Sequence, residues 1–85
     1  MTAEWWVREA FSRAGYSKLE ARCTAKAFTA AMPQEALWQV RSDLMAADRP
    51  ERFAGVEELF AWLGPRVDAE TLRVLRHYAN ACEGR

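Results

Sequence analysis

The chain has 85 residues, of which 51% are hydrophobic, 12% aromatic and 28% charged, a composition typical of one globular domain and unlike that of a disordered chain. Twelve basic and twelve acidic side chains give a net charge of zero, so the chain lacks the overall basic excess on which sequence-independent nucleic-acid binding relies. The N-terminal residues do not have the pattern of a signal peptide, and no apolar run approaches the ~20 residues of a membrane span, so we expect a cytoplasmic protein.

Helix-capping residues divide the chain into five predicted helices. Thr2 and Gly15 suit the two ends of the first helix. Ser17 and Glu20 match a capping box, in which each side chain accepts a hydrogen bond from a backbone N–H at the helix start. Pro33 suits the first turn of the third helix, and Asp68 suits the N-cap of the fifth. With their caps, the predicted helices cover residues 2–14, 17–32, 33–48, 56–63 and 68–82, and no segment has the alternation of a strand.

A repeat with an offset of 49 residues relates the two halves of the chain. The matching residues are Val7, Glu9, Phe11 and Gly15 in the first half and Val56, Glu58, Phe60 and Gly64 in the second. Each half comprises a short helix, a turn and a longer helix, and neither hairpin buries its apolar face alone. We therefore predict an all-α fold in a single domain, residues 1–85: a compact bundle of about five helices, built from two helical hairpins bridged by the third helix.

The same features resemble a bacterial two-repeat helical family known as domain of unknown function 2267. The resemblance rests on Phe11-x-x-x-Gly15, on Ser17-x-x-Glu20, on the alanine-rich second helix and on residues 51–53 and 56–60. It covers nearly the whole chain, although the second half is short compared with that family's pattern. The resemblance implies a helical fold, and it implies no activity and no functional residue.

The second helix is apolar on two sides, and we expect it to lie in the middle of the bundle. Its apolar faces comprise Leu19, Cys23, Ala27 and Ala30 on one side and Ala21, Ala25, Phe28 and Met32 on the other. Lys18, Arg22 and Lys26 lie four residues apart and form a basic stripe. A solvated helix face is the first interpretation of this basic stripe, and contact with phosphate or an acidic partner is the alternative.

The two cysteines, Cys23 and Cys82, occupy apolar helical positions. A free cysteine behaves there as a small hydrophobic residue, which is what we predict. A bridge between the two is the alternative, because the repeat could bring their helices together, but two cysteines without a signal peptide do not make a disulfide framework.

Residues that would carry catalysis or metal binding do not form a recognisable constellation. His77 is the only histidine, and it points more than about 100° away from Cys82 around the predicted helix. A structural zinc site needs about four ligands at closely paired spacings, which Cys23, His77 and Cys82 do not supply. No glycine-rich phosphate loop is present. We therefore predict no enzyme activity, no cofactor and no metal.

Three of the four tryptophans, Trp5, Trp38 and Trp62, lie off or at the edge of the core stripes of their helices. In one interpretation they are half-buried residues that cap a small core. In the other they form an exposed aromatic patch, since tryptophan is enriched at binding hot spots. We predict a non-enzymatic interaction module (an adaptor, inhibitor or regulatory subunit) that binds a protein partner or a second copy of itself. Its candidate partner-binding residues are Trp5, Trp38, Met45 and Trp62.

The last two predicted helices offer an alternative function, a helix-turn-helix that binds DNA. Its candidate contacts are Arg66, Arg73, Arg76 and His77. The zero net charge and three acidic residues near this surface, Glu57, Glu58 and Glu70, disfavour nucleic acid as the partner. The two functions are distinguished by whether the basic residues cluster without acidic neighbours.

Overall fold

Five helices and the turns between them account for the whole chain in a computed structural model that describes residues 1–85. The fold is all-α, without strands, and measures 29 × 26 × 24 Å. The helices are α1 (Ala3–Arg13), α2 (Lys18–Ala31), α3 (Gln34–Leu44), α4 (Val56–Leu63) and α5 (Ala69–Cys82).

The helix starts follow the predicted caps. Thr2 Oγ1 accepts a hydrogen bond from the backbone N–H of Trp5, at 3.1 Å. Ser17 Oγ accepts from Glu20 N at 3.1 Å, and Glu20 Oε1 accepts from Ser17 N at 2.7 Å, which confirms the capping box. Gly15 has a φ of +99°, which a residue with a β-carbon rarely adopts, and it ends the first hairpin arm as expected.

The third helix is shorter than predicted, because α3 ends at Leu44 and not near residue 48. Beyond its cap, Met45, the chain turns twice, with hydrogen bonds from Ala46 N to Asp43 O and from Arg49 N to Ala46 O. A residue directly before a proline does not readily adopt helical backbone angles, and Arg49 is followed by Pro50. Pro33 lies at the N-cap position, one residue before the first turn in which it was predicted, and it makes no side-chain cap hydrogen bond.

The two hairpins, α1–α2 and α4–α5, pack against each other as the repeat predicted. The long helices α2 and α5 are in contact, and so are the short helices α1 and α4. Phe11 and Phe60, which correspond in the repeat, pack edge to face with ring centroids 5.9 Å apart. The core is built from Val7, Ala10, Phe11, Ala21, Ala25, Phe28, Val40, Leu44, Leu59, Phe60, Leu63, Leu75 and Ala79.

The second helix packs between α1 and α5, but only one of its two predicted apolar faces is largely buried. The Ala21–Ala25–Phe28 face of α2 is buried, but Leu19 is 66% exposed, and Ala30 is exposed as well. Cys23 on that face is joined to α5 by the disulfide, and α3 packs on α1. α1 is the helix that contacts three others, namely α2, α3 and α4.

The prediction of free cysteines was wrong, because Cys23 and Cys82 form a disulfide with their Cα atoms 5.7 Å apart. Two hydrogen bonds join the same two helices nearby. Tyr16 Oη donates to Ala79 O at 2.6 Å, and the backbone N–H of Gly84 donates to Glu20 Oε2. The start of α2 therefore holds the end of α5 by one covalent and two polar contacts.

Candidate protein-interaction surface

Two large apolar side chains of α3 and its cap are open to solvent. Trp38 is 60% exposed and Met45 is 50% exposed. They are seven residues apart, which places them on one side of the helix, two turns from each other. Arg41 lies between them, and its Nε donates to Met1 O at 2.8 Å. We call Trp38, Arg41 and Met45, with the chain end that Arg41 holds, the Trp38 surface.

A groove of about 380 Å³ lies beside Trp38. It is lined by Met1, Thr2, Ala3, Glu4, Thr29, Gln34, Leu37, Trp38 and Arg41. Leu37 is half-buried and packs against the core, and the groove combines four hydrophobic lining residues with five polar ones. The contribution of residues 1–4 was not predicted, because it depends on how α1 packs against α3, which helical periodicity does not specify.

Trp62 is covered in part by other side chains of the same chain. Trp62 is half-buried against the core, with the Phe53 ring centroid 6.1 Å away. The Arg66 guanidinium lies over the Trp62 ring at 4.1 Å and donates to the Trp62 carbonyl at 2.6 Å. Trp5 is half-buried beside Trp6, at 5.1 Å between centroids. Neither Trp5 nor Trp62 lines the groove beside Trp38.

The basic stripe faces solvent. Lys18, Arg22 and Lys26 are all exposed, and none has a carboxylate within salt-bridge distance. Lys18 and Arg22 border a cleft between α1 and α2, whereas Lys26 does not.

Every arginine proposed for DNA contact has an acidic partner. Arg66 pairs with Asp48 at 2.9 Å, and Arg76 pairs with Glu57 at 2.9 Å. Arg73 pairs with Glu70, and this hydrogen bond is the main cause that lowers the pKa of the Glu70 carboxyl. His77 is exposed beside Tyr78. A basic cluster without acidic neighbours, which the DNA alternative requires, is not present on the last two helices.

The arrangement of polar side chains offers no metal site, because no three His, Cys, Asp or Glu residues lie close enough to share an ion. None of the five helices has the length and apolar character needed to cross a membrane. Compared with known proteins, the chain matches no protein-family model, no curated protein and no solved structure. The resemblance to domain of unknown function 2267 stays a prediction.

Proposed function

We propose that this protein is a non-enzymatic interaction module that binds a protein partner through the Trp38 surface. The observation that carries the proposal is the 60% exposure of Trp38 in a small domain that covers its other tryptophans at least in part. Exposed apolar area is unfavourable in water by about 25 cal/mol per Å², and a partner that covers the indole recovers this free energy.

The size of the surface favours a transient protein partner over a permanent homodimer. Stable interfaces bury roughly 800 Å² on each side. The exposed apolar residues here are Trp38, Met45 and Met1, whose carbonyl is held by Arg41. A patch of three side chains suits one or two anchor residues of a partner, seated in the groove over Leu37.

The cellular location belongs to the same proposal. We place the module in the cytoplasm, where disulfides are rare and are mostly transient or redox-responsive. In a cytoplasmic module, the Cys23–Cys82 bridge would have to be transient or redox-responsive. Alkylation of thiols in freshly lysed cells, followed by intact-mass measurement, distinguishes a reduced cytoplasmic chain from one oxidised in another compartment.

Site-specific crosslinking tests the proposed surface. A photoreactive phenylalanine analogue replaces Met45 in one variant and Arg73, on the far helix α5, in the matched control. We expect crosslinks to another protein from position 45 only, and we expect Trp38→Ala to abolish them. Crosslinks between two copies of the chain would show that the Trp38 surface forms a homodimer and does not bind another protein. Equal crosslinking from position 73 would contradict the assignment of binding to the Trp38 surface.

A further inference from the structure

Arg13, the last residue of α1, holds the connector between α3 and α4. Its carbonyl accepts a hydrogen bond from Phe53 N at 2.9 Å, and its Nη1 donates to Glu51 O at 3.1 Å. Its Nε, however, is buried and has no acceptor, because the nearest carboxylate oxygen, Glu9 Oε1, is 3.7 Å away. A buried donor without a partner is unfavourable by about 1–3 kcal/mol, and it belongs here to a side chain that is 34% exposed and lines a cleft.

Arg49 supplies a second buried donor without an acceptor, its Nη1. Its guanidinium lies over the Trp6 ring at 5.1 Å. Burial lowers the pKa of Arg49, the positive charge of Arg13 lowers it further, and Glu9 acts in the opposite direction. Arg13 and Arg49 thus each keep a side-chain nitrogen without an acceptor, and the charge of Arg13 acts on Arg49.

Two clefts meet at this end of α1. The first, of about 320 Å³, is lined by Glu9, Ser12, Arg13, Glu51 and Arg52. The second, of about 490 Å³, is lined by Arg8, Glu9, Ser12, Lys18 and Arg22. Glu9 and Ser12 border both clefts, and no hydrophobic residue lines either of them.

The charge of this surface is strongly asymmetric. Its two clefts and Arg49 bring together six basic side chains and two carboxylates, Glu9 and Glu51, in a chain whose net charge is zero. On the opposite half of the chain, Arg66, Arg73 and Arg76 are each paired with an acid. Around Ser12, Arg13 is paired with Glu9 at 3.7 Å, whereas the other five basic side chains have no carboxylate within salt-bridge distance. Unneutralised positive charge is therefore concentrated there.

We propose that this surface binds a small anion with two or more linked phosphoryl groups. Arginine donates paired hydrogen bonds to phosphate oxygens, and the clefts supply Arg13 and Arg52 on one side of Ser12 and Arg8 and Arg22 on the other. The two clefts share a wall that contains Glu9 and Ser12, and the Ser12 hydroxyl can donate there to an anion held by these arginines. No aromatic side chain lines the clefts to stack on a nucleobase, and no apolar one is there to receive a peptide side chain. The site lies at the end of α1 opposite the Trp38 surface and does not depend on the proposed function.

Calorimetric titration with inorganic pyrophosphate, tripolyphosphate and orthophosphate tests the proposal at low ionic strength. We expect one saturable site for pyrophosphate and roughly tenfold weaker binding of orthophosphate, which offers these arginines fewer oxygens and less charge. Arg8→Gln and Arg22→Gln should each weaken pyrophosphate binding roughly tenfold. Lys26→Gln is the matched control, since it removes the same charge from the same stripe outside the clefts, and it should leave the affinity within about twofold.

Nuclear magnetic resonance supplies a readout that needs no variant. The Nε–H resonance of Arg13 should shift on addition of pyrophosphate to the wild-type chain, because Arg13 lines the cleft in which the anion binds. The absence of saturable binding at millimolar pyrophosphate would overturn the proposal. Equal loss of pyrophosphate affinity in Lys26→Gln and Arg22→Gln would also overturn the proposal, because it would indicate diffuse attraction between charges. Tighter binding of duplex DNA than of tripolyphosphate would indicate that the ligand is a nucleic acid and not a small anion.

Discussion

Cys23 in α2 and Cys82, the last residue of α5, are joined by a disulfide that links positions 59 residues apart. The bridge connects the two hairpins, because one cysteine belongs to each. Its neighbours Tyr16 and Glu20 contact the same end of α5 through Ala79 and Gly84. The contact between α2 and α5 therefore depends on covalent as well as apolar interactions.

Loss of this disulfide should be the most destabilising change that leaves the apolar core in place. Closing a loop of this length restricts the unfolded chain, and its loss lowers the free energy of unfolding by about 4 kcal/mol. We expect this decrease for Cys23→Ala in urea melts. Reduction of the wild-type chain should produce a similar decrease and should leave a Cys23→Ala, Cys82→Ala variant unchanged. Identical melts of the oxidised and reduced wild-type chain would contradict this role.

Ser17→Ala should lower the free energy of unfolding by about 1 kcal/mol, because the N–H of Glu20 loses its acceptor at the start of α2. Ser42→Ala is the control, since Ser42 is exposed on α3 and its hydroxyl makes no hydrogen bond within the chain. Urea melts measure both variants. If Ser17→Ala and Ser42→Ala have the same midpoint, the Ser17 side chain is not the cap.

The stability should decrease at acidic pH, in part through Glu20. Hydrogen bonds from the backbone N–H groups of Ser17 and Gly84 lower the pKa of the Glu20 carboxyl. Its ionised form therefore stabilises the folded state above the unfolded-state pKa of about 4.3, and this stabilisation is lost as the pH falls through the lower folded-state pKa. Glu20→Gln should decrease the loss of stability between pH 5 and pH 3, by roughly the share that this carboxyl supplies. Part of the remaining loss of stability should come from Asp68 and Glu70, whose pKa values are also lowered. An unchanged pH profile in Glu20→Gln would contradict the assignment.

Most of the fold could be predicted from the sequence because its determinants are local. The caps at Ser17 and Asp68 and the glycine at position 15 act within a few residues of themselves, and the structure confirms all three. The Cys23–Cys82 bridge and the docking of Phe53 on Arg13 join residues far apart, so helical periodicity does not reveal them. The same holds for the candidate surfaces. Exposure of Trp38 follows from its wheel position, whereas the covering of Trp62 by Arg66 depends on the turn after α4.

Duplex DNA should not bind measurably at physiological salt. Arg73 and Arg76 would have to leave Glu70 and Glu57 before they could contact phosphates, and these carboxylates would then face the DNA. Fluorescence anisotropy with labelled duplexes of mixed sequence tests this expectation. Sub-micromolar binding, weakened in an Arg73→Gln, Arg76→Gln variant together with its salt dependence, would establish the DNA alternative.

Replacement of Trp38 should separate association from stability. Because Trp38 is 60% exposed, Trp38→Ala should change the free energy of unfolding by less than about 1 kcal/mol while abolishing binding to the partner. Trp62→Ala is the matched control: it removes an indole covered by Arg66 and Phe53, so it should destabilise by about 2–4 kcal/mol and leave association intact in the folded fraction. Urea melts and crosslinking from position 45 measure the two effects. A loss of about 3–5 kcal/mol in Trp38→Ala would identify Trp38 as a core residue and remove the main support for an interaction surface on α3.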